Sequence, residues 1–160
     1  MPRIGFGFDV HELKEGYPLW IGGVLIDSDK GAIGHSDADV LIHAICDALL
    51  GALALKDIGY HFPDTSTEFK GIQSTILLSK VISLINNKGY KIINVDSTVC
   101  LEAPKISKYI DNMKKILSEI MSIEKDCISI KATTTEKLGY IGERKGICAY
   151  ANVLLEKKDA

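Results

Sequence analysis

Proline is scarce in this sequence, with 4 in 160 residues, and tryptophan occurs once. No proline-rich or low-complexity stretch interrupts the chain, so neither an extended linker nor a disordered tail organises it. Cysteine is sparse too: Cys46, Cys100, Cys127 and Cys148 lie far apart and form no CxxC pair. That excludes a disulfide framework and a cysteine-built zinc ribbon, and it predicts reduced, buried thiols in a cytoplasmic protein. Neither sign of charge is in excess, with 19 basic residues against 21 acidic and a net charge of −2. No global field therefore points to nucleic acid or to an anionic membrane. Long apolar runs are missing as well. The most apolar stretch, residues 40–55, is broken by His43 and Asp47 and falls short of the roughly 20 residues that a membrane helix needs. The opening residues MPRIGFGFDVHE carry neither a secretory signal pattern nor the Arg/Ser-rich pattern of a transit peptide.

What remains is ordinary globular composition, 46% apolar and 25% charged. A chain of this length buries roughly two thirds of its unfolded surface without staples, and one domain across residues 1–160 is expected.

Periodicity predicts a mixed α+β order. Residues 4–10 alternate Ile4, Phe6 and Phe8 with Gly5, Gly7 and Asp9, as a strand does. Residues 19–26 form a short apolar run broken at Gly22-Gly23, which suits a hairpin turn or a kinked strand. Residues 27–34 read as a loop. Residues 36–55 read as a helix, with Ser36 as its cap and Asp39 three residues on in a capping-box arrangement. Residues 56–70 read as a long loop of the kind that carries function. A second helix is expected over residues 71–88, a strand over 92–102, and a third helix entered through Pro104 at its first turn. Strands over residues 127–132 and 146–156 close the order, with a polar turn or short helix over residues 133–138 between them. The result is a single mixed sheet layered with helices, distinct from a βαβ repeat.

Five clusters carry chemistry. Asp9 and His11 are two apart on a strand and share a face. Asp39, His43 and Asp47, at i, i+4 and i+8, share one face of a mostly apolar helix. His43 added to Asp9 and His11 makes a two-histidine, one-carboxylate set, which leaves one position of a zinc ion open, as catalytic sites do. His35 and Ser36 stand at the expected helix start, where free backbone N–H groups favour an anion. The loop from Asp57 to Thr65 holds two carboxylates, which also serve as turn residues. Ala103-Pro104-Lys105 joins a strand end to a helix start. Thr133-Thr134-Thr135-Glu136 follows a strand and suits a phosphate cradle, with Glu136 an oxygen ligand for a hard cation. Each cluster alone also has a plain structural reading as a cap, a turn or a solvated face.

Taken together, the stretches GFGFDVHEL, IGGVLI, GHSDADVLIHAICDALLGALALKDIGYHFPDT, LEAPKI and IKATTTEKLGYIGE resemble the 2-C-methyl-D-erythritol 2,4-cyclodiphosphate synthases. The resemblance runs along almost the whole chain. It implies a metal-dependent phosphorus–oxygen lyase of the non-mevalonate isoprenoid route, built as a homotrimer of α+β subunits with active sites between neighbours. The implied substrate is a small cytidine diphosphate derivative, with no nucleic acid and no membrane as partner. By the same resemblance, Asp9, His11 and His43 hold Zn²⁺ or another divalent transition metal, and Asp9, Val10 and His11 border the substrate. His35 and Ser36 contact its phosphates or erythritol part. Asp57, Ile58 and Gly59 hold the erythritol and ribose region, beside a mobile loop of Phe62, Pro63, Asp64, Thr65 and Ser66. Ala103, Pro104, Lys105 and Ile106 wrap the cytosine. Thr133, Thr134, Thr135 and Glu136 contact the diphosphate, Glu136 with Mg²⁺ or Mn²⁺, and Tyr140 is a further substrate contact. His35 and Thr134 are the implied catalytic pair. Two positions depart from the common pattern: Glu143 stands where many members carry Arg, and Ser66 where Asp is common.

Overall fold

The computed structural model describes residues 1–158. Its strands are β1 (Arg3–Glu15), β2 (Leu19–Ile21), β3 (Val24–Ile26), β4 (Lys30–Ile33), β5 (Tyr90–Cys100), β6 (Ile128–Thr133) and β7 (Gly146–Lys157). Its helices are α1 (Val40–Ala52), α2 (Ile58–His61), α3 (Ser74–Asn87), α4 (Ile110–Met121) and α5 (Gly139–Gly142). Five strands pair in the order β4-β1-β7-β5-β6, and β2 and β3 form a separate ribbon. All pairs are antiparallel except β5 with β6. The mixed α+β expectation therefore holds, with two additions. The segment read as a loop over residues 27–34 contains β4, paired to β1 from Glu12–Ile33 to Glu15–Lys30. The long loop over residues 56–70 contains α2 and a single 3₁₀ turn, Thr67–Phe69.

Helix α1 explains most of the core. Every residue in it is buried except His43, Asp47 and Gly51, so it is a core helix with one narrow polar strip. It lies directly on β1 because β1 turns Gly5 and Gly7 toward it. A Cβ at Gly7 would stand 1.9 Å from the Ala44 carbonyl oxygen, and one at Gly5 1.8 Å from that of Ala48. The large residues of the same strand face the other way. Ile4 is 77% exposed and Phe6 60%, so the helices cover one face of the sheet and leave an apolar stripe on the other.

Three expected starts move. Asp39, not Ser36, caps α1, and the helix begins at Val40. Asp39 is fully buried and accepts backbone N–H bonds from Ile42 (3.0 Å), Gly22 (2.9 Å) and Gly23 (2.7 Å). It thus fastens α1 to the β2–β3 turn, where Gly22 and Gly23 both take positive φ, as a two-residue hairpin requires. Burial pushes the Asp39 carboxyl up, against the three backbone bonds that favour its charge. Pro104 does not open a helix: a loop and the 3₁₀ turn Ser107–Tyr109 intervene before α4. The second helix begins at Ser74 rather than residue 71.

Asp39→Ala leaves three backbone N–H groups without their acceptor, and the expected loss of stability is about 3 kcal/mol or more. Thermal unfolding of the variant checks this, and an unchanged midpoint contradicts it.

Candidate active site and metal centre

Two elements meet at the site. β1 presents Asp9 and His11 from its helix-facing side, and α1 presents His43, next to the Ala44 that touches Gly7. Asp9 Oδ2 lies 2.8 Å from His11 Nε2 and 3.0 Å from His43 Nδ1, and the two nitrogens are 3.2 Å apart. Among the described residues, this is the group of three or more imidazole, thiol or carboxylate side chains able to hold a metal ion. Ligand atoms around a tetrahedral zinc with bonds of about 2.0–2.1 Å stand about 3.3 Å from each other, so the donor set and its spacing both fit. Burial works to raise the Asp9 pKa, but hydrogen bonds from His11 and His43 outweigh it and hold the group at about 2. Burial works to lower that of His11, and its bond to Asp9 outweighs it in the upward direction. Protons and a cation therefore compete for the same lone pairs.

The far nitrogen of each imidazole is occupied. His11 Nδ1–H donates to the Ile33 carbonyl at 3.0 Å, which leaves Nε2 for the cluster. His43 Nε2 lies 2.9 Å from the Ser74 hydroxyl and 3.1 Å from that of Ser36, which leaves Nδ1.

The cluster opens into a cavity of about 370 Å³, which His35, Ser36, Ile58, Gly59, Phe62 and Asp64 also line. His35 is joined to the loop above it: its Nε2 lies 3.3 Å from the Ser66 carbonyl, and its own carbonyl accepts from Gly71 N at 2.8 Å. Phe62 packs edge-on against Phe69 with ring centres 5.3 Å apart, and Phe69, Ile72 and Leu77 complete an apolar wall. Asp47 is half-buried and accepts from Ile58 N at 2.8 Å, while Asp57 accepts from Tyr60 N at 2.8 Å. Burial is the main cause that raises the Asp47 carboxyl. Two carboxylates thus shape α2.

A second cavity of about 260 Å³ is lined by Pro104, Lys105, Ile106, Thr133 and Thr134, with Glu102 beside them. The three threonines differ in what their hydroxyls do. Thr133 donates to the Thr134 carbonyl (3.0 Å), and Thr135 donates to that of Leu138 (2.7 Å). Thr134 Oγ1 instead accepts from Glu136 N (3.3 Å), so its own proton remains for a ligand. Glu102 Oε2 accepts from Thr135 N at 3.4 Å and ties the two sides of the cavity.

Several expected site residues line neither cavity. Val10 faces the bare side of the sheet and is 44% exposed. Pro63, Thr65, Ser66, Ala103, Thr135, Glu136 and Tyr140 stand outside both linings. Glu136 is exposed, in a left-handed turn with φ 51°. Asp57 is turned into its own cap. Asp39 is sealed in the core and takes no part in a polar face with His43 and Asp47. The expected anion seat at the start of α1 is also closed. That start lies at Val40, four residues beyond Ser36, among buried Asp39, Val40 and Leu41. Conversely, sequence reading gave no role to Asp37 or Ser74. Their meeting joins positions 37 apart, and no local pattern announces it.

Comparison with known proteins agrees over nearly the whole chain. The model of the YgbB family matches residues 2–156. A 2-C-methyl-D-erythritol 2,4-cyclodiphosphate synthase of Bacteroides fragilis is 59% identical over 155 residues, 97% of this chain and 98% of that protein. One of Porphyromonas gingivalis is 59% identical over 153 residues, 96% of this chain and 94% of that protein. Among solved structures, the Plasmodium falciparum IspF CDP complex superposes with TM-score 0.87 at 42% identity, covering 99% of this chain and 97% of that one. The bifunctional IspDF of Campylobacter jejuni gives TM-score 0.95 at 39% identity, covering 99% of this chain and 43% of that one. The fold, the sequence and the chain-length match agree: this chain belongs to the YgbB family, that of the 2-C-methyl-D-erythritol 2,4-cyclodiphosphate synthases.

Proposed function

We propose that this chain converts 4-diphosphocytidyl-2-C-methyl-D-erythritol 2-phosphate to 2-C-methyl-D-erythritol 2,4-cyclodiphosphate and CMP. An oxygen of the 2-phosphate attacks the β-phosphorus, a new P–O–P linkage forms, and the old linkage to the α-phosphorus breaks with CMP as leaving group. The second pKa of a phosphate monoester is about 6, so the nucleophile is ionised at neutral pH and no side-chain base is required. The barrier is the approach of one anion to another, and positioning with charge neutralisation lowers it.

The observation that carries this reading is the convergence of Asp9 Oδ2, His11 Nε2 and His43 Nδ1 at one end of a cavity. These three residues would hold Zn²⁺ or another divalent transition metal, which supplies Lewis-acid charge stabilisation for a phosphoryl oxygen. Glu136 would contribute one carboxylate to Mg²⁺ or Mn²⁺, which substrate phosphates and water otherwise surround. His35 lines the metal cavity and donates a hydrogen bond to substrate phosphate. Thr134 carries the hydroxyl proton with no internal acceptor and does the same across the diphosphate. Ser36, Ile58, Gly59 and the loop from Phe62 to Ser66 surround the erythritol. Pro104, Lys105 and Ile106 border the cytosine.

The reading includes a homotrimer with sites between subunits. It is supported by the bare apolar stripe of Ile4, Phe6, Phe8, Val10 and Tyr150, too continuous to leave in water. It is also supported by the two cavities, which share no lining residue. Asp9 and Ala132 lie in one row of the sheet, through Ala149 and Val99, so three strand spacings, about 14 Å, separate them. Light scattering is expected to give about three times the 17.5 kDa chain mass, and Phe6→Glu to shift it toward one. A wild-type monomer contradicts the subunit-boundary site.

Release of CMP, equimolar with substrate consumed and followed by chromatography, tests the reaction. Binding of the substrate without CMP release overturns it.

A further inference from the structure

We infer that Ser74, anchored by Asp37, is a positioning residue that fixes His43 in the tautomer presenting Nδ1 to a metal ion, an inference that rests on the metal reading above. Ser74 is fully buried at the first turn of α3, and its hydroxyl donates to Asp37 Oδ1. The same carboxylate accepts Ser74 N–H at 3.0 Å and Asp39 N–H at 3.2 Å. Asp37 is the acceptor in all three contacts, with the Ser74 hydroxyl as the donor in its own. The Ser74 proton is therefore committed to Asp37, and toward His43 its oxygen can only accept. At 2.9 Å the partner is His43 Nε2, so that nitrogen carries a proton and Nδ1 is the one left at the cluster, where a metal ion would take the place of the proton shared with Asp9.

Ser36 does not substitute for Ser74. It lies 3.1 Å from the same Nε2 and accepts from Ala38 N at 3.2 Å. No carboxylate takes its proton, so its hydroxyl is able to donate or accept and selects neither tautomer. The Asp37–Ser74 pair has a second effect. The cap residue of α3, Gln73, makes no side-chain cap bond, and Asp37 answers the Ser74 N–H in its place. The start of α3 is thereby locked to the segment that leads into α1, which holds the acceptor steady beside the imidazole. Orientation of a metal-binding histidine by a hydrogen bond to its far nitrogen raises its quality as a ligand.

The test uses wild type, Ser74→Ala and Ser74→Thr, stripped with a chelator and titrated with Zn²⁺ against a chromophoric competitor. Ser74→Ala is expected to bind zinc about 10- to 100-fold more weakly, and Ser74→Thr, which keeps the hydroxyl, within about threefold of wild type. Nitrogen-15 NMR of the zinc-loaded wild type provides a reading that needs no variant to fold: His43 is expected to show a protonated Nε2 and a metal-bound Nδ1. Wild-type zinc affinity in Ser74→Ala, or zinc on His43 Nε2, overturns the inference. A wild type that takes up no zinc at all removes the metal reading itself, and the inference with it.

Discussion

His43→Ala is expected to lose stoichiometric metal and at least about 100-fold in kcat/KM, since Lewis-acid stabilisation of phosphoryl charge is worth several kcal/mol and each 1.4 kcal/mol is tenfold. Asp9→Ala is expected to behave alike, because the two imidazoles then face each other at 3.2 Å without their carboxylate. The structural cost of His43→Ala is smaller than the functional one. The His43 side chain is only 11% exposed but stands at a cavity wall, and its loss removes bonds to two serine hydroxyls and to Asp9 rather than apolar core contacts. Elemental analysis after reloading with zinc, paired with a turnover assay, measures both. Near wild-type metal content in either variant contradicts the ligand assignment, and full turnover without metal contradicts its role.

Gly7→Ala is expected to be among the most destabilising single methyl additions to this chain, alongside Gly5→Ala, whose Cβ would stand 1.8 Å from the Ala48 carbonyl oxygen. The carbon added at Gly7 meets the Ala44 carbonyl oxygen at 1.9 Å and the Ala48 nitrogen at 2.7 Å, both backbone atoms of α1. No rotamer change relieves a backbone clash, so helix and strand must separate. The expected cost is more than about 3 kcal/mol, at or beyond the usual range for an overpacked core. Separation has a functional consequence as well. His43 adjoins Ala44 and Asp9 lies two residues past Gly7, so the same displacement spreads the metal ligands. Thermal unfolding and zinc content are therefore expected to fall together. Wild-type stability in the Gly7→Ala variant contradicts the packing described for β1 and α1.

Local pattern reached some of this and missed the rest for definite physical reasons. The alternation in β1, the apolar period of α3 and the Gly22-Gly23 turn are short-range signals, and the elements formed there. The same alternation in β1 does not reveal which face is buried. Gly5 and Gly7 face the helices while Phe6 and Phe8 face outward, a choice set by the close approach of α1. Ser36 and Asp39 are both acceptable caps in sequence. What selected Asp39 was the pair of N–H groups at Gly22 and Gly23, some 17 residues upstream. Asp9, His11 and His43 stood out because two strand neighbours and one helical residue offer complementary ligand types. Asp37 and Ser74 did not stand out, since an aspartate and a serine near helix starts look like any cap. Lys105 and Thr134 border one cavity only because β5 and β6 run parallel and end side by side.

The most direct test of the account is phosphorus NMR of the purified chain with the 2-phosphorylated diphosphocytidyl substrate, zinc and magnesium. The account predicts one equivalent of CMP and two coupled resonances of a cyclic diphosphate, with no free monoester other than CMP. CMP accompanied by an open-chain phosphate contradicts it, because water and not the 2-phosphate would then have cleaved the diphosphate.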